Sequence, residues 1–342
     1  MEKQRIVYFD ALNIAACLAV VFMHCNVLVH AYQPGINWLC SLVIEVVFWW
    51  AVPIFLMLSG ANLMRYRDRY DTKTFFKKRM LRTFVPFIFW SIAIYFLRFG
   101  MLATSPTFGL TEFVSLFMNN GIETVYWFFF PLFALYLAYP VLSCLADRRR
   151  VLWYLAGTFF VLQSVIPPLA TLFGVPWNTE IQQPVATAFV FYAVLGYLVS
   201  TQDISKKHRL IIYALGIAAL IIRFVEMANL SASLGAKTSY LSTSYASFVG
   251  VLPALAVFVF FKYLDFSKLK PKMTSFVGKV SSCSLGVYLI HCILIKDVIF
   301  GILHVPLTSI GLRVIAPFVV YALCVMIVLL IKKVPVLNRV VP

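Results

Sequence analysis

"WLCSLVIEVVFWWAVPIFLMLSGANL" runs from Trp38 to Leu63, and "MRYRDRYDTKTFFKKRMLR" follows it from Met64 to Arg82. The first stretch carries one charged residue, Glu45, and is longer than the roughly 20 residues a helix needs to cross the hydrocarbon core. The second carries Arg65, Arg67, Arg69, Lys73, Lys77, Lys78, Arg79 and Arg82, a density of cations that stays out of lipid. An apolar span followed by a basic gap is the unit of this sequence, and it recurs along the chain.

Hydrophobic residues make up 62% of the 342 residues and charged residues only 12%. The reading gives an all-α polytopic membrane protein of about ten spans in one bundle, near 7–29, 38–63, 83–103, 125–146, 151–171, 183–200, 208–228, 246–264, 280–303 and 310–332. Of the 29 Lys and Arg residues, 24 fall in the N-terminal tail, the C-terminal tail or alternate gaps. Arg98, Arg223, Lys237, Lys296 and Arg313 fall elsewhere. Basic loops are retained in the cytoplasm, so both termini and the basic gaps are expected there. Gaps near 30–37, 104–124, 172–182, 229–245 and 304–309 are then external.

The net charge of +16 follows from this topology and needs no nucleic acid to explain it. Glu2 and Asp10 flank the first apolar stretch with no small-residue cleavage site after it, so it reads as a retained span. The seven cysteines lack paired-loop or metal-ligand spacing and read as small packing residues, with no metal expected. The longest gap is short, so residues 1–342 are expected to form a single transmembrane domain without a soluble one. Pro86, Pro131, Pro140, Pro167, Pro168, Pro253 and Pro317 mark kinks.

Polar groups within spans are expensive, so each needs a reason. In "FDALNIAACLAVVFMH" (9–24), Asp10, Asn13 and His24 form a polar track. Asn13 and His24 lie 11 residues apart, close to three helical turns, so they share a face and His24 sits about 16 Å further along the axis. In "SSCSLGVYLIHCILIKD" (281–297), Ser284, Tyr288 and His291 form a second stripe. Either histidine is equally well a packing residue hydrogen-bonded across helices or a member of one shared cavity. Glu45 is a further buried carboxylate, Lys296 and Asp297 read as a local pair, and Arg223 with Glu226 as an i, i+3 ion pair. In "TFFKKRMLRTFVPF" (74–87), Arg79 and Arg82 share a helix face beside Lys78. They suit either bidentate phosphate binding or ordinary anchoring to anionic lipid.

These residues resemble the acyltransferase-3 family of integral-membrane O-acyltransferases. The resemblance rests on "FDALNIAACLAVVFMH", "VPIFLMLSGANL", "KKRMLRTFVPFIFW", "YWFFFPLFALYLAYPVL", "FYAVLGYLVS" and "SLGVYLIH", in the family's order along nearly the whole chain. It implies transfer of an acyl group, acetyl in typical bacterial members, from cytoplasmic acetyl-CoA or another acyl-CoA. The acceptor would be a hydroxyl of a cell-surface glycan or lipid-linked sugar, and the location a bacterial cytoplasmic membrane. The family's first-span motif, a basic residue and then His after ten positions, places its essential His at His24. Asn13 occupies the basic position. The family's paired arginines, associated with the donor, correspond to Arg79 and Arg82. Many relatives carry a His where Val125 stands, two residues before Trp127.

On this reading the cofactor-binding set is Arg79, Arg82 and Lys78. The catalytic set is His24, Asn13, Asp10, His291 and Tyr288, with His24 as base and Asn13, Tyr288 or His291 as donors to the oxyanion. The partners are acyl-CoA, the glycan or lipid-linked acceptor and membrane lipids. Two other classes fit ten polar-lined spans. A transporter or flippase would show repeated halves, which are absent to inspection. A catalytically inactive binding module is compatible with Asn13 and Val125.

Overall fold

The computed structural model describes residues 6–101, 109–242, 244–306 and 308–342. Lys3, Arg5, the end of the expected 83–103 span and the start of the 104–124 gap lie outside them. Among the described residues the regular structure is entirely helical. Eight helices are long and apolar enough to cross a membrane: α1 (Val7–Cys25), α2 (Ile36–Asp68), α3 (Thr72–Met101), α4 (Thr124–Leu145), α5 (Arg149–Leu172), α7 (Lys206–Leu234), α9 (Ser284–Ile302) and α10 (Ala316–Lys333). Helices α6 (Ala188–Thr201) and α8 (Phe248–Lys262) occupy two more of the expected positions. At 14 and 15 residues they are shorter than a full span.

Short α6 is explained by its surroundings. Every residue from Val190 to Val199 is buried, so this helix is apolar on all sides because it meets protein all round. Its outermost carbonyls are met by a neighbour: Lys262, at the end of α8, donates to the Val199 and Gln202 oxygens. Residues Ala51–Leu63 of α2 pack against α6 with the backbones touching. Gly60 and Gly196 make this approach feasible, since each faces a backbone carbonyl of the other helix, at Ala193 and Met57.

Helix α1 runs through the middle. It contacts both halves of α2, together with α8, α9, α10 and the amphipathic helix Pro271–Ser281 that precedes α9. Its buried face, including Leu12, Ala16, Cys17, Val20 and Val21, is small or branched, which lets neighbours approach closely. Many of the large apolar side chains elsewhere, such as Leu137, Ile217, Ile221 and Phe318, point outward. A soluble protein would bury such a surface; a bilayer is what accommodates it.

Two charge pairings differ from the sequence expectation. Lys296 does not pair with Asp297, because neighbours on a helix point about 100° apart. Lys296 Nζ instead lies 2.6 Å from Glu123 Oε1, while Asp297 accepts from Arg98 Nη2 at 3.0 Å. Arg98 Nη1 completes the cluster at 2.7 Å from Glu123 Oε2. Arg223 does not pair with Glu226 either. Its guanidinium turns inward, 3.7 Å over the Trp49 ring, donates to the Glu45 carbonyl and lies 3.8 Å from the Glu45 carboxylate. Glu226 is drawn to the following loop, where it accepts from Ser239 Oγ and the Tyr240 and Leu241 amides. Glu45 is buried as expected, with Lys237 Nζ at 3.0 Å.

The Glu123 side chain is fully buried, beside the first turn of α4. Burial disfavours its charge, but the Lys296 hydrogen bond and the Arg98 charge outweigh this and hold the carboxyl below its ordinary value of 4.5. A depressed native value contributes stability that is complete above the unfolded value and is lost as pH falls through the native one. Thermal unfolding in lipid should therefore shift to lower temperature as pH drops below about 4. Glu123→Gln should lower stability at pH 7 by on the order of 2 kcal/mol and flatten this acid dependence. An unchanged acid limb in the variant would show that other carboxylates set it.

Candidate active site

Between the starts of α1 and α3 a cavity of about 730 Å³ opens at the end of the bundle that bears the basic gaps. Its volume is in the range of sites that bury small organic ligands. Asp10, Asn13, Lys78, Arg79, Arg82 and Tyr288 all line it, so six of the eight residues singled out from sequence converge on one space. The remaining two, His24 and His291, lie beyond its inner end.

The mouth is cationic. Arg79 immediately precedes, and Arg82 lies within, a single wide helical turn, Met80–Phe84, in which the chain leaves α-helical register. Both nevertheless reach the cavity. Arg79 Nε is buried without a hydrogen-bond partner among the described residues, and its guanidinium lies 5.7 Å from the Tyr136 ring centre. Lys78 Nζ sits 3.9 Å over the Tyr70 ring. Arg69 joins them, with Nη2 donating to the Asn62 carbonyl. In the sequence Arg69 is one of many topogenic cations; only the fold brings it to the cavity. Further in, Phe55, Phe128, Phe129 and Leu132 make the walls apolar.

Asn13 Nδ2 donates toward the Ser281 carbonyl, Ser281 Oγ and Ser284 Oγ, each at 3.0 Å. A carbonyl oxygen only accepts, so the amide orientation is fixed with nitrogen toward Ser281. Asn13 thus holds α1 to Ser281, the last residue of the preceding amphipathic helix, and to Ser284 at the start of α9, and has no hydrogen left for an oxyanion. Its Oδ1 remains as an acceptor.

The inner wall is a pair of reciprocal tyrosine contacts between α9 and the start of α4. The Tyr288 hydroxyl donates to the Val125 carbonyl and Tyr126 OH donates to Leu289 O at 2.7 Å. Val125 therefore serves through its backbone. The Tyr288 hydrogen is spent on Val125, so Tyr288 walls the cavity in place of donating to an oxyanion. Its ring centre lies 5.7 Å from that of His291, which makes Tyr288 the partition between cavity and histidines.

The two histidines meet. His24 Nδ1 and His291 Nε2 are 2.9 Å apart, and His291 Nδ1 lies 2.8 Å from the Tyr288 carbonyl. His291 is completely buried and His24 partly exposed. Cys292 Sγ lies 3.4 Å from His291 Nε2, so three residues of metal-ligating type stand together. Two imidazole nitrogens on a tetrahedral zinc, each about 2.0–2.1 Å from it, would be about 3.3 Å apart. The observed 2.9 Å is a hydrogen bond in length and shorter than that separation.

A family model described as an acyltransferase domain matches residues 6–331, which include every residue of this site. No curated protein and no solved structure gave a significant match.

Proposed function

This chain belongs to the membrane acyltransferase family whose domain it matches over residues 6–331, and from that premise we propose that it moves an acyl group, acetyl in the simplest case, from acyl-CoA to a hydroxyl of a surface glycan or lipid-linked sugar. The observation that carries this reading is a cavity whose mouth presents Arg69, Lys78, Arg79 and Arg82 and whose inner end stops at Tyr288, one ring short of the histidine pair. On the topology that the basic gaps imply, the mouth faces the cytoplasm of a bacterial cell, where acyl-CoA is found.

The chemistry of the donor matches the gradient of the cavity. Phosphate and pyrophosphate groups suit the guanidinium groups at the mouth. A pantetheine arm is apolar with two amides, and suits aromatic walls with the Asn13 Oδ1 as an acceptor for an amide hydrogen. The thioester then lies at Tyr288. The acceptor hydroxyl approaches His24 from the opposite side, His24 takes its proton, and, once the Tyr288 ring has moved from between them, the oxygen attacks the thioester carbon. The tetrahedral intermediate breaks its C–S bond, and the proton on His24 passes to the departing thiolate, giving the ester and free CoA.

The test is acetyl-CoA turnover by the purified protein in lipid, supplied with extracted surface glycans and lipid-linked sugars. Arg79→Ala/Arg82→Ala should raise the KM for acetyl-CoA by about 10–100-fold, as expected for losing two charged hydrogen-bonding partners. Excess acetyl-CoA should restore most of the rate. A loss of kcat with an unchanged KM would overturn the donor assignment, and an absence of both turnover and acetyl-CoA binding would overturn the function.

A further inference from the structure

The arrangement of acceptors at the histidine pair dictates where each proton sits. His291 Nδ1 lies 2.8 Å from the Tyr288 carbonyl and 3.2 Å from the Val287 carbonyl, both on the preceding turn of α9. Carbonyl oxygens only accept, so His291 Nδ1 must carry the hydrogen. A neutral imidazole then has its lone pair on Nε2, and the contact at 2.9 Å requires His24 Nδ1 to be the donor. Cys292 Sγ, 3.4 Å from the same Nε2, is a second weak donor to it and supports the same assignment. His24 is left with its lone pair on Nε2. Among the described residues no side chain or backbone group bonds that atom.

We infer that His291 is a positioning residue that holds His24 in the Nδ1–H tautomer and so presents the His24 Nε2 lone pair to the acceptor hydroxyl. This rests on the acyltransferase reading above. The chain of bonds runs from the backbone of α9 through His291 to His24, so the base is anchored to a helix and not to a mobile side chain. The logic is that of a nucleophile's histidine oriented by a third group. Here the orienting group is a neutral imidazole where soluble enzymes use a carboxylate. The site's setting explains the difference: His291 is wholly buried at membrane depth, where an additional ionised group is expensive. His291 is thereby excluded as an oxyanion donor, since its single hydrogen is given to Tyr288.

Two experiments test this, one independent of activity. Nitrogen-15 spectra of histidine-labelled protein in lipid, assigned with single-histidine variants, should show His24 and His291 each protonated at Nδ1 and bare at Nε2. A His24 protonated at Nε2 would overturn the inference whatever the turnover. In kinetics, His291→Leu should lower kcat by about 10²–10³-fold, in the range ascribed to general-base contributions. The KM for acetyl-CoA should stay within about twofold, because His291 does not line the donor cavity. His291→Gln, whose amide can accept from His24 and donate to the Tyr288 carbonyl, should keep the rate within about tenfold of wild type.

Wild-type kcat in His291→Leu, alongside an inactive His24→Ala, would sink the positioning role and leave the acyltransferase reading standing. Equal loss in the Leu and Gln variants, both folded and binding acetyl-CoA, would likewise sink it. Full turnover in His24→Ala would instead remove the acyltransferase mechanism, while the tautomer spectrum would still report on the pair itself. Should His291→Leu fail to fold, the Gln variant and the spectrum decide.

Discussion

Replacing His24 by Ala should reduce acetyl transfer by about 10²–10⁴-fold, the range that a positioned general base contributes, which is about 3–5 kcal/mol of barrier. Acetyl-CoA binding should be unaffected, because the cavity proposed for the donor is lined by Asn13, Arg79, Arg82 and their neighbours and not by His24. The fold should also survive. His24 is partly exposed, and the seam between α1 and α9 is held independently by Asn13 bonding Ser284 Oγ and by Cys17 at 3.6 Å from the Ser284 carbonyl, with Asn13 also bonding Ser281 just before α9. The measurement is a split one: acetyl-CoA affinity by calorimetry and turnover by thiol release, on the same preparation. Intact turnover would show that the base lies elsewhere. Lost binding with lost turnover would show that the cavity and the histidines are one structural unit, and the variant would no longer isolate the chemical step.

The largest effect on folding is expected at Gly60 and Gly196. A Cβ built on Gly60 would lie 1.8 Å from the Ala193 oxygen, and one on Gly196 would lie 2.1 Å from the Met57 oxygen. Ordinary overpacking of a core costs about 1–3 kcal/mol because side chains can yield. Here the obstacle is a backbone carbonyl on a helix buried along Val190–Val199, so the helices themselves must separate. Gly60→Ala and Gly196→Ala should each cost more than that range and reduce the yield of folded protein severely. Gly157→Ala serves as the control, because a Cβ there meets nothing within 4 Å, and it should leave yield and melting temperature close to wild type. Wild-type melting in Gly60→Ala would show that α2 and α6 are not in backbone contact in the membrane.

Helical class and the position of the spans were legible because a bilayer imposes a simple rule: long apolar stretches cross it and cations stay out. The eight long helices fall where apolar stretches predict them, and α6 and α8 do too, though shorter. Shortness was not legible, since α6 owes its tolerance to the protein around it and to Lys262, a residue far away in sequence. Charge partners were read least well. Lys296 with Asp297 and Arg223 with Glu226 were expected from sequence proximity, yet each charged group found its partner on another helix or loop. Within the membrane a buried charge is satisfied by whichever complementary group the bundle brings near, and spacing along one helix does not encode that.

The sequence by itself determined which residue types would be costly in the membrane and along which face they would run, because helical periodicity and hydropathy are local properties. It placed Asp10, Asn13 and His24 on one helix, Tyr288 and His291 on another, and Lys78, Arg79 and Arg82 at a third. Only the tertiary structure decided that six of these eight residues share one space, that Arg69 belongs with them, and that His24 and His291 touch. It also decided which of these groups have hydrogens to give. Asn13, Tyr288 and His291 look interchangeable as donors in a sequence, but each spends its hydrogen on Ser281, Val125 or Tyr288. A hydrogen bond depends on two groups meeting within about 3 Å, and contacts between α1 and α9, some 270 positions apart, follow from packing and not from any local rule.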